Sequence, residues 1–117
     1  VSVRTEGGNF DFPRAKEGGL DAPFMSIYIP AAYQMRGGAK VFADSLIRMT
    51  ERLADTWPDK FAMAYSPADI EDNTKQGKIS LPMGMENAAP IEDDIDNVAY
   101  FYERGIRYIT LPTARII

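Results

Sequence analysis

The sequence contains neither cysteine nor histidine. The first absence removes any disulfide framework and leaves the redox compartment, and so the localisation, unset. The second restricts chemistry more, because histidine is the commonest acid–base group near neutral pH and the commonest zinc ligand. Any metal held by this chain must rest on carboxylates. Long apolar runs are missing too: none approaches the roughly 20 residues of a membrane-spanning helix, and residues 1–12 lack the basic-then-apolar order of a signal peptide. Positive charge is in deficit, with 13 Lys and Arg scattered among 17 acids for a net charge of -4. That leaves no basic footprint for nucleic acid or an anionic membrane.

What is present is a globular composition of 117 residues, 45% hydrophobic and 26% charged, enough for one ordinary domain. Val1 to Ala22 carries two glycine pairs and little apolar periodicity, and reads as loop and extended chain with a short helical turn. Phe24 to Ile29, closed by Pro30, has the length and β-rich composition of a buried strand. From Ala39 to Trp57, the residues Phe42, Leu46, Met49, Leu53 and Trp57 recur at steps of three and four, predicting a helix that buries that face and stops at Pro58. Phe61 to Tyr65 is a second strand. Ser66-Pro67-Ala68-Asp69 then reads as a capped helix start, with the helix running to about Gln76 and ending at Gly77. Ile79 to Met85 is a third strand, with a bulge or strand end at Pro82. Ala89-Pro90 opens a last helix whose expected buried face is Ile91, Ile95, Val98 and Tyr102, with Glu92, Asp93 and Asp94 at its positive end; Arg107 to Leu111 is the final strand. Alternation of this kind predicts an α/β fold with a mainly parallel sheet covered by helices. Trp57 and the methionines read as core, and Tyr28 and Tyr33 as packed aromatics rather than pocket lining.

The run from Lys78 to Asn87, KISLPMGMEN, resembles the strand of the membrane dipeptidase family that ends in Gly-hydrophobic-Glu. The likeness continues in order through Lys16 to Gly19, Phe24 to Pro30, Phe61 to Ile70 and Ile91 to Leu111. The resemblance implies part of a (β/α)8 TIM barrel, about its first half, whose parent hydrolyses dipeptides with two zinc ions. Glu86 is then the carboxylate that bridges the metals. Spacing alone offers Glu86 a plainer role, as an acid favouring the dipole of the helix after Pro90. Two other functions stay open: a related amidohydrolase barrel, and a non-catalytic α/β module that binds a small molecule or partner.

The sequence departs from the family pattern at its ends. The family's His-x-Asp metal motif of the first strand is absent, and the zinc-binding histidines of later strands are not reached. With Glu86 the one remaining ligand, the chain is expected to be a partial, inactive barrel domain over 1–117, able to self-associate through its open sheet. After Leu111 the family continues toward a histidine, whereas this chain reads Pro112-Thr-Ala-Arg-Ile-Ile117. Loss of the first base from a coding run for Ala-His-Ser-Lys-Asn-Asn yields those six residues, so 112–117 is expected to be a frameshifted tail. Sequencing the source DNA across Leu111 checks this; an intact frame encoding Pro-Thr-Ala-Arg-Ile-Ile overturns it.

Overall fold

The computed structural model describes residues 3–111, so the expectation about 112–117 lies outside the described residues. The elements run α1 (Phe12–Glu17), β1 (Met25–Tyr28), α2 (Ala32–Arg36), α3 (Ala39–Thr56), β2 (Phe61–Met63), α4 (Pro67–Lys75), β3 (Ile79–Leu81), β4 (Met83–Glu86), a 3-10 turn (Ala89–Ile91), α5 (Asp96–Glu103) and β5 (Ile106–Thr110). Every strand pairing is parallel, as the alternating order of elements requires. No helix among the described residues is long and apolar enough to cross a membrane.

Pro82 shapes the topology. It has no N–H to give a ladder, and the expected single strand divides there into β3 and β4. β4 is the centre of a three-stranded sheet, β1-β4-β5, while β3 pairs with β2. The Pro82 carbonyl still accepts from the Met25 N–H at 2.7 Å. Just before it, the Ile79 N–H donates to Lys60 and the Ser80 N–H to Asp21, so the chain keeps neighbours on both edges through the break.

One face of the β1-β4-β5 sheet is dry. Ile27, Met83, Met85 and Ile106 pack there against Ala39, Ala43 and Ile47 of α3 and against Phe101 of α5. A smaller core joins Ala54, Phe61, Ile79 and Leu81 to Ala15, flanked by Leu53 and Trp57. The Trp57 indole N–H is buried there and finds no hydrogen-bond acceptor among the described residues. Arg104 ties α5 to α3, reaching Asp44 at 2.7 Å and Glu51 at 3.1 Å, while the Tyr100 hydroxyl donates to Asp44.

Several sequence expectations require correction. α3 forms as expected, but it buries Ala39, Ala43, Ile47, Thr50 and Ala54; Phe42, Leu46 and Leu53 flank this stripe and Met49 is exposed. The buried stripe is offset by one residue from the expected one, and Ile47 and Thr50 share it with the alanines. The last helix opens at Asp96 rather than Pro90, because Glu92 and Asp93 adopt left-handed backbone conformations that end the preceding turn. The helical phase therefore shifts. Asn97 and Phe101 become the buried positions, while Ile95 is 78% exposed and Val98 and Tyr102 face outward. The acids at 92–94 are loop residues, and Asp94 accepts from the Asp96 N–H at 3.0 Å. Tyr28 is exposed, whereas Tyr33 both stacks on Phe42 at 4.6 Å and lines a cleft. Met83 and Met85 are core, but Met35 is not. α2 was not foreseen.

The capping expectations fared better. The Ser66 side chain accepts from the Asp69 N–H, and α4 runs from Pro67 to Lys75. α1 is capped by Asp11, whose carboxylate accepts the backbone N–H of Arg14 at 2.9 Å and of Thr5 at 3.1 Å, with the Arg14 guanidinium beside it. These bonds, the Arg14 N–H first, lower the Asp11 pKa from 3.8 to about 2. A carboxyl depressed on folding contributes stability that is fully present above its unfolded value and lost as pH falls through the folded one. Carbon-13 titration should find Asp11 ionising near pH 2, and Asp11→Asn should flatten the loss of stability between about pH 4 and 2. An Asp11 titration at the ordinary aspartate value would show that the cap is not formed.

Candidate functional site

Side chains alternate along a strand, so the dry face defines its opposite. Ser26 and Tyr28 of β1, and Gly84 and Glu86 of β4, are register partners on the open face. On β5 the alternation is interrupted. Met83 pairs with Ile106 but Met85 pairs with Ile109, so β5 spends one residue more than β4 over the same span. This bulge keeps both Ile106 and Ile109 against the dry face. Without it, Tyr108 would sit opposite Met85 in the core and Ile109 opposite Glu86. With it, Tyr108 and Thr110 project onto the face of Glu86. The bulge is pinned by Arg107, whose guanidinium donates to the carbonyls of Tyr65 (2.8 Å), Tyr102 (2.7 Å) and Ile106 (3.0 Å).

Glu86 ends the central strand and is half-buried. The Tyr108 hydroxyl donates to its Oε1 at 3.2 Å, and the Thr110 hydroxyl lies 3.2 Å from its Oε2 and 3.0 Å from the Met85 carbonyl. The helix expected after Pro90 does not begin beside the carboxylate: the next element is a 3-10 turn, and α5 begins only at Asp96. Burial, then the hydrogen bond and charge of Glu86, push the Tyr108 phenol above its ordinary value. The phenol stays protonated near neutrality and is a standing donor. Beyond Glu86 the chain turns at Asn87, which holds a left-handed backbone. Its side chain donates to the Ile29 carbonyl at 3.1 Å and accepts from the Ala89 N–H at 3.0 Å, locking the strand end to β1.

Among the described residues no three acids gather in a way that could hold a metal ion. The donor chemistry of Glu86 fits one ligand's share of a metal centre, an anionic two-oxygen group fixed at a strand end. Asp93 and Asp94, expected from the sequence at the positive end of a helix, lie in the following loop. A cleft of about 880 Å3 opens nearby, lined by Tyr33, Arg36, Asn87, Glu92 and Ile109 among others, but Glu86 does not line it. Ile109, one of its lining residues, packs against the dry core.

A family model described as membrane dipeptidase (peptidase family M19) matches residues 2–115. The chain belongs to the membrane dipeptidase family. Dipeptidase aclJ of Aspergillus oryzae is 30% identical over 111 residues, covering 89% of this chain and 26% of that protein. Among solved structures, the probable dipeptidase PvdM from Pseudomonas aeruginosa superposes with a TM-score of 0.80 over 97% of this chain and 30% of its own, at 22% identity. A metallopeptidase from Rhodobacter sphaeroides, solved with a phosphinate mimic of the dipeptide L-Ala-D-Ala, gives 0.77 over 90% of this chain and 36% of its own, also at 22% identity. The chain thus spans about a quarter of the curated relative it matches. The fold expectation holds: these parallel strands and covering helices are a portion of the family's α/β barrel, not a closed barrel. The membrane dipeptidases are metallopeptidases.

Gly84 is the floor of this arrangement. A Cβ added there would fall within the Tyr108 ring. Gly84→Ala should therefore expel the ring, break its bond to Glu86, and cost about 1–3 kcal/mol of stability by overpacking. Denaturant unfolding and the nuclear Overhauser contacts between Tyr108 and Phe24, whose rings meet edge-on at 5.2 Å, report both effects. A variant of unchanged stability with those contacts intact would contradict the account.

Proposed function

We propose that this chain is part of a (β/α)8 dipeptidase domain that hydrolyses dipeptides, in which Glu86 bridges two zinc ions. The observation that carries the reading is the position of Glu86 at the C-terminal end of the central strand, on the face that a closed barrel turns inward, where barrel enzymes carry their catalytic groups. A carboxylate offers two oxygens, enough to bind a pair of cations at once. When bound, such a metal pair supplies the Lewis acidity that amide hydrolysis needs near neutral pH. This chain's own residues supply the anchor: Tyr108 and Thr110 hold the carboxylate, and Asn87 fixes the end of the strand. The remaining ligands must come from outside the described residues, so the chain by itself is inactive. Its exposed sheet face, with Phe24 and Tyr28 uncovered, supports self-association of the isolated chain.

In a complete barrel carrying this segment, Glu86→Gln should fold normally, lose bound zinc, and fall at least about a hundredfold in dipeptide turnover. Metal analysis and single-substrate kinetics check both parts, with the purified 117-residue chain expected to show no hydrolysis above a metal-free control. A Glu86→Gln protein that keeps two zinc ions and the unsubstituted rate would sink the reading.

A further inference from the structure

We propose that Tyr108 is a positioning residue for Glu86, seated by the β5 bulge and by the bare floor at Gly84, so that the carboxylate is aimed before any cation arrives. The inference rests on the reading of Glu86 as a metal ligand and deepens it. An ionised carboxylate presents about four lone-pair sites. The Tyr108 hydroxyl takes one on Oε1 and the Thr110 hydroxyl reaches one on Oε2, which leaves one free on each oxygen. That remainder is what a ligand shared between two cations must offer. The two hydroxyls are not equal. Thr110 has a single proton between Oε2 and the Met85 carbonyl, whereas Glu86 is the one acceptor found for the Tyr108 hydroxyl among the described residues. Tyr108 is therefore the firmer anchor.

Its ring, 36% exposed, is seated on two sides. One side lies on Gly84, where a β-carbon has no room, and Phe24 meets it edge-on at 5.2 Å. The backbone beneath it is held by the three carbonyl bonds of Arg107. An outer donor of this kind orients a ligand, and losing it typically weakens metal affinity about tenfold to a hundredfold.

The test uses a complete, zinc-loaded barrel carrying this segment, with zinc affinity read by chelator competition and folding read by the unfolding temperature of the metal-free protein. Tyr108→Phe keeps the ring and removes the donor. We expect it to weaken zinc binding about tenfold or more while leaving the unfolding temperature unchanged. Wild-type affinity in Tyr108→Phe, alongside zinc loss in Glu86→Gln, overturns the role of Tyr108 and spares that of Glu86. Full zinc affinity in both variants overturns the ligand reading itself. Should Tyr108→Phe also lower the unfolding temperature, Thr110→Val and Thr110→Ser decide. Affinity lost in Val and restored in Ser upholds positioning by the hydroxyl pair, and equal affinity in the two overturns it.

Discussion

The dry contact between α3 and the β1-β4-β5 sheet governs what this chain can present on its other side. Because Ile27, Met83, Met85 and Ile106 must be buried beneath Ala39, Ala43 and Ile47, strand alternation turns Ser26, Tyr28, Gly84 and Glu86 outward. A slip of one residue would turn the Glu86 carboxylate onto the dry face beneath α3 and expel Met83 and Met85 from it, a cost of several kcal/mol for the uncompensated charge alone. The position of the candidate ligand is thus enforced by apolar packing on the far side of the sheet.

That same requirement explains the bulge. β5 has two isoleucines to bury, at 106 and 109, an odd spacing that a regular strand cannot place on one face. An extra residue in β5 satisfies both, and as a by-product brings two hydroxyls to Glu86. Packing and site geometry are solved by one irregularity, which the Arg107 guanidinium holds in place.

The sequence made the coarse frame visible because its signals are local. The Ser66 cap, the amphipathic run of α3 and the Gly-Met-Glu strand end each stand within a few residues. What escaped depends on distant partners. The inner stripe of α3 depends on how the helix is rotated against the sheet, and it takes Ala39, Ala43 and Ile47 rather than Phe42 and Met49. The phase of α5 depends on where the chain after Pro90 stops turning, decided by the left-handed Glu92 and Asp93, which no periodicity records. Tyr108 and Thr110 were overlooked as site residues for a related reason. Simple alternation from Ile106 places Tyr108 on the core face, so only the spacing of Ile106 and Ile109, read as two core positions, could have revealed the bulge. Division of the third strand at Pro82 was legible, but its consequence, two sheets sharing one stretch of chain, was not.

Trp57 gives these two layers different optical visibility. It is the only tryptophan of the sequence, and it packs against the smaller core of Phe61, Ile79 and Leu81, which Met25 of β1 also reaches. Indole emission therefore follows this smaller core, and a fluorescence melt registers its opening. The environment of Glu86 offers no such single reporter, because the phenol of Tyr108 is one of six in the sequence and their absorbances overlap.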